Sequence, residues 1–110
     1  MTSNAATVET LYSSFGSDPD LAELVEMYVQ ELPQRLQSLH EAVAQKDWPE
    51  LARLSHQMKG AAGSYGFHQI TPFARQLELA ARGAESEPQI LEALLHLEEL
   101  CGRCQSGSPT

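Results

Sequence analysis

Ser55-His56-Gln57-Met58-Lys59-Gly60-Ala61-Ala62-Gly63-Ser64-Tyr65-Gly66 is the stretch on which the reading of this chain turns. Wound at 100° per residue with His56 at 0°, it places Leu51, Leu54, Met58, Ala61, Ala62 and Tyr65 within about 60° of the opposite direction. That is the core stripe of an amphipathic helix. Pro49, Ala52, Arg53, Lys59, Gly60 and Gly63 fall within about 60° of His56 itself. The histidine therefore points away from the core, among small residues and two cations.

Gly in a helix interior costs roughly 1 kcal/mol relative to Ala. Gly60 and Gly63 lie one and two turns beyond His56 on its own face, where core packing asks for no glycine. Bare backbone beside an exposed imidazole lets another surface come close to the ring. Lys59 is placed to neutralise an anion held on a ring nitrogen. The arrangement suits chemistry between the histidine and a negatively charged group delivered by a large partner.

Outward from this stretch the chain reads as helices. Asp47 caps the His56 helix, Pro49 sits in its first turn, and Gly66 ends it in a left-handed conformation. Upstream, Leu21, Leu24, Val25, Tyr28, Val29, Leu32, Leu36, Leu39 and Val43 fall in a sector of about 140°, predicting a long helix over 19–45 with Asp18 as its N-cap. Pro33 would normally break a helix. The stripe keeps its phase across it, so the reading is one bent helix, with two helices broken at Leu32-Pro33 as the alternative. Downstream, Ile70, Phe73, Ala74, Leu77 and Ala81 predict a helix that begins between His68 and Pro72 and ends at Gly83. A last helix starts near Ser86 or Glu87, with Ile90, Leu94, Leu97, Cys101 and Cys104 on one face. Val8, Leu11, Tyr12 and Phe15 predict a short helix or a packed arm. Short connections favour antiparallel neighbours. The expected fold is all-α, an up-down-up-down four-helix bundle over 7–104, with a disordered lead over 1–6 and a loose tail over 105–110. No strand is expected.

The totals bound the function. A chain of 110 residues builds one domain with a modest core. A net charge of −8 argues against nucleic acid and against anionic lipid. No run approaches the roughly 20 apolar residues of a membrane span. Met1-Thr2-Ser3-Asn4 has neither the basic start nor the apolar centre of a secretory signal, so the expected compartment is the cytoplasm. His40, His68 and His96 do not cluster at metal-ligand spacing, so no metal is expected on this chain. Cys101-Gly102-Arg103-Cys104 has C-x-x-C spacing, but it closes a helix instead of following a strand. Buried thiols are the better reading than a redox pair.

His56-Gln57-Met58-Lys59-Gly60, with the small-residue run to Gly66, resembles the H-x-[LM]-K-G signature of histidine-containing phosphotransfer (HPt) domains. The likeness covers roughly residues 8–104 and includes the Asp47-Trp48 start of the helix and the order and lengths of the helices. Gly63 stands where the family more often has another small residue. The resemblance implies a phosphorelay intermediate without a kinase or ATP site. His56 would accept a phosphoryl group from the aspartyl phosphate of a response-regulator receiver domain and pass it to another receiver aspartate. Family precedent puts the group on Nε2; the sequence does not choose the nitrogen. An unperturbed imidazole, with a pKa near ~6.5, is a competent nucleophile at neutral pH.

Lys59 would stabilise charge on the transferred group. Ala52, Arg53, Gln57, Gly60, Gly63 and Ser64 would meet the partner. That partner would be a receiver domain, including one carried by a hybrid sensor kinase, and any Mg²⁺ would sit on the receiver. A monomer is expected. The alternative is a non-catalytic bundle that binds receivers as scaffold or inhibitor. Intact His56, Lys59 and Gly60 favour the carrier.

Overall fold

The computed structural model describes residues 10–83 and 85–105. Four helices make the body: α1 (Ala22–Ala44), α2 (Trp48–Ser64), α3 (Ile70–Arg82) and α4 (Glu87–Cys101). Each packs on the next, and α4 closes back on α1. The core runs down the centre of the bundle through Tyr28, Leu39, Leu51, Met58, Phe67, Ile70, Leu77, Ile90, Leu94 and Leu97, all essentially inaccessible.

Local chemistry sets the ends of the helices. Asp47 accepts a hydrogen bond from the Glu50 amide at 3.2 Å, and Pro49 occupies the first turn of α2. Gly66 follows α2 with φ +82°, the left-handed stop. Ser86 and Gln89 form a reciprocal capping box at the start of α4. Helix α3 begins at Ile70, which leaves Pro72 in its first turn, and Gly83 caps its end.

Pro33 lies inside α1 without breaking it. Val25, Tyr28 and Leu32 before it and Leu39 and Ala42 after it are buried on the same side, so packing on both halves outweighs the local cost of the proline.

Three features differ from the sequence reading. Helix α1 starts at Ala22, not at Pro19. The Asp18 side chain accepts from Asp20 N at 2.9 Å, and its carbonyl accepts from Leu21 and Ala22, so 18–21 form a turn ahead of the helix. Leu24, assigned to the core stripe, is 45% exposed. There are also two short strands, β1 (Leu11–Tyr12) and β2 (Cys104–Gln105), paired in parallel with Leu11 opposite Cys104. Two residues are too few to show a period of two, which is why the sequence hid them. Cys104 thus leaves the helix, and Gln105, assigned to a loose tail, is in β2.

From Leu11 onward the N-terminal segment is an arm. Its Ser13 hydroxyl donates to the Tyr65 carbonyl, and the Ser14 amide donates to the Gly66 carbonyl at 3.0 Å, which covers the end of α2. The expected disordered lead over 1–6, the first residues of the arm and 106–110 of the tail lie outside the described residues.

Both cysteines are free and buried. Burial pushes the Cys101 thiol up to about 12 and the Cys104 thiol to about 11. These are inert core thiols, not a redox pair.

Candidate functional site

Helix α2 carries His56 on its outer face, where the side chain is 60% exposed. The neighbouring α3 turns Glu78 inward to meet it, and this carboxylate is only 5% exposed. Three donors converge on it. His56 Nδ1 lies 3.0 Å from Oε2, Lys59 Nζ donates to Oε1 at 2.9 Å, and Arg82 Nε donates to Oε2 at 2.9 Å. Arg82 Nη2 is a further 2.8 Å contact to Oε2.

Burial by itself would raise the carboxyl pKa of Glu78. The hydrogen bonds from Lys59, Arg82 and His56 outweigh it and hold the pKa at about 2. Glu78 is therefore ionised at neutral pH, and an ionised carboxylate only accepts hydrogen bonds. The imidazole nitrogen facing it must carry the proton. Nδ1–H donates to Glu78, and the lone pair of the neutral ring is left on Nε2, which has no hydrogen-bond partner among the described residues. Two helices thus orient the ring and select its tautomer.

The other residues singled out in the sequence are placed as follows. Lys59, expected to face an incoming group, rests on Glu78 and is half-buried. Arg53 is exposed and holds Glu50 through two bonds of 2.8 and 2.6 Å. Gln57 is exposed beside the ring. Gly60 has open space where a Cβ would be, and Gly63 nearly so, with Thr71 Oγ1 4.0 Å away. No packing within the described residues requires glycine at Gly60. Ser64 is exposed at the end of α2, two turns and about 12 Å along the axis from His56, so it is not brought to the ring.

Ala52 is a correction. Read as part of the exposed face, it is 4% exposed and belongs to the core cluster. It lies on the flank of α2 that α3 covers, and a single helix wheel does not show which flank a neighbour will take. It still contributes to the floor of an open groove of about 720 Å³ that Trp48, Pro49, Arg53, His56, Ala81 and Arg82 also line.

Sequence reasoning missed Glu78 and Arg82. The wheel of α3 gives no signal for Glu78, which falls about 40° outside the sector of Ile70, Phe73, Ala74, Leu77 and Ala81. No group of three or more His, Cys, Asp or Glu that could hold a metal occurs among the described residues. No described helix is long and apolar enough to cross a membrane.

The site is thus an outer helix face that presents His56, with Glu78, Lys59 and Arg82 behind its ring. The Hpt domain family matches residues 23–107, and the chain belongs to that family. Its members serve phosphotransfer in two-component phosphorelays and interact with receiver domains. No curated protein and no solved structure matches the chain.

Proposed function

We propose that this protein is a phosphorelay intermediate that carries a phosphoryl group on Nε2 of His56. The observation that carries the reading is the contact between Nδ1 and Glu78, which leaves the exposed Nε2 as the nucleophile. Nε2 attacks the phosphorus of a receiver aspartyl phosphate. The P–N bond forms as the P–O bond to the aspartate breaks, and the aspartate leaves as carboxylate. Positive charge develops on the ring as the bond forms, and Glu78, already ionised, stabilises it through Nδ1–H without reorganising.

The same contact serves the onward step. A phosphorylated ring that keeps its Nδ1 proton is a better leaving group, so a second receiver carboxylate can take the group while the neutral ring returns to its resting tautomer. Lys59 and Arg82 balance Glu78 in the resting chain and are near enough to help neutralise the phosphoryl oxygens. Gly60 and Gly63 let the receiver backbone approach. The divalent cation this chemistry needs belongs to the receiver. The working compartment would be the cytoplasm and the working form a monomer.

The test is transfer from a panel of phosphorylated receiver domains, including those of hybrid kinases, to the wild type and to His56→Gln. Acid-labile, base-stable label on the wild type alone is the expected result. Binding to a receiver without label on either protein would favour the scaffold alternative.

A further inference from the structure

The four helices close in a ring, and the seam between α1 and α4 is the one that involves neither α2 nor α3. An open groove of about 630 Å³ runs along it, within the size range of ligand sites. Val29, Leu32, Pro33 and Leu36 of α1, Cys101 of α4 and Cys104 of β2 make most of its wall. Leu91 lies two turns before Glu98 on the same face of α4, and both it and Leu95 are exposed. The apolar strip therefore continues along α4, and nothing among the described residues covers it.

The polar groups around this groove are acceptors. Pro33 has no amide to donate, so the Val29 carbonyl one turn back lacks its helical donor. Glu98 lines the groove, with His40 Nε2 3.1 Å from its carboxylate. Glu26 lies two turns before Pro33 on the same face of α1, and Glu23 and Glu41 flank that face. Glu23, Glu26 and Glu41 have no cation partner among the described residues. Lys46 and Arg103, the cations on this side, are already set against Glu87 and Glu99 at 3.5 and 3.9 Å. Arg35 sits on the other flank of α1, against Glu31. A solvated acidic surface is ordinary on a chain of net charge −8. Carboxylates without cations that border an apolar groove and an unpaired carbonyl are complementary to one kind of partner, apolar on one face and rich in charged donors beside it.

We propose that the α1–α4 groove is a second docking site, built for an amphipathic helix that carries Lys or Arg beside its apolar stripe. Leucine-sized side chains fill the wall between Val29 and Cys104, and the cations meet Glu26, Glu98 and Glu41. Glu26 and Glu41 lie about 22 Å apart along α1, the length of a four-turn helix. The site shares no residue with the His56 cluster, so such a segment binds while the ring stays free. A partner joined to that segment would then meet His56 at a raised effective concentration.

Nuclear magnetic resonance of the ¹⁵N-labelled full chain, titrated with a synthetic Leu/Lys amphipathic helical peptide, tests this independently of phosphoryl transfer. Amide shifts should saturate and centre on residues 29–41 and 98–105. Peptides with Glu in place of Lys, or with Ser in place of Leu, should bind about tenfold more weakly or worse. The Glu26→Lys, Glu41→Lys double variant, checked for folding by circular dichroism, should weaken the Leu/Lys peptide about five- to tenfold at low salt. His56→Gln should bind it like the wild type. Shifts centred on α2 and α3, or equal binding of the Lys peptides with and without Leu, would overturn the docking site. Contacts from Val8 to the methyl groups of Val29 or Leu36 in the free chain would put the chain's own N-terminal segment in the groove. Shifts at these residues that grow with protein concentration alone would put a second copy there. Either result would overturn the proposal as well.

Discussion

Nδ1 of His56 on α2 and Oε2 of Glu78 on α3 lie 3.0 Å apart, joining residues 22 apart in the chain. One is exposed and the other buried. A ring that must reach outward is steered from below by a carboxylate that solvent barely touches. That carboxylate stays charged because Lys59 and Arg82 share it.

This cluster gives the fold an acid-sensitive point. Glu78 has its pKa depressed in the folded chain to about 2, from the ordinary carboxylate range. Its contribution is therefore complete above the unfolded-state pKa of roughly 4.5 and is lost as pH falls through about 2. The full shift corresponds to about 3 kcal/mol, and solvent around the exposed ends of Arg82 and His56 screens part of it away. Urea unfolding of the wild type followed from pH 6 to pH 2 should show this loss. Glu78→Gln should be less stable at pH 6 and should have a flatter acid limb, and equal acid limbs in the two proteins would contradict the coupling.

Helix α2 is expected to tolerate a methyl group that the chain's own packing leaves room for. A Cβ at Gly60 meets nothing within 4 Å, so Gly60→Ala should stabilise the fold by roughly 0.5–1 kcal/mol. A gain of that size raises Tm by several degrees in a domain this small. Gly60→Leu should also keep the fold while slowing transfer from a receiver, because bulk next to the ring keeps the partner away. Full transfer by Gly60→Leu would show that partner approach does not depend on the glycine.

The buried thiols should be silent to an aqueous disulfide reagent in the native state. Burial raises both, and neither Cys101 nor Cys104 presents an accessible thiolate at neutral pH. Two thiols should titrate in denaturant and none on the native timescale. Rapid native modification of either would point to an opening of the β2 segment.

Most of the bundle and the outward placement of His56 were legible because they rest on local signals. Helix periodicity, Asp47, Pro49, Gly66 and Ser86 place the elements, and the outward His56 with Lys59 and Gly60 marks the face. The unread parts depend on contacts between elements. Ala52 is covered by α3, and the wheel of α2 alone cannot show that. Ser55 gives no signal of burial in its sequence; it is fully buried and tolerated there because its hydroxyl donates to the Leu51 carbonyl at 2.7 Å. Glu78 reads as one more surface charge until α3 is laid against α2. Only then does it acquire its partners, His56 and Lys59.

The most direct measurement is nuclear magnetic resonance of ¹⁵N-histidine-labelled protein, before and after phosphorylation by a receiver. The expected result in the resting chain is a pyrrole-type Nδ1 and a pyridine-type Nε2 at His56. After transfer, ³¹P–¹⁵N coupling should appear at Nε2 of the same ring, and in Glu78→Gln the resting tautomer preference should weaken. Phosphorus coupled to Nδ1, or to another histidine, would contradict the central claim that Glu78 holds His56 with Nε2 as the acceptor.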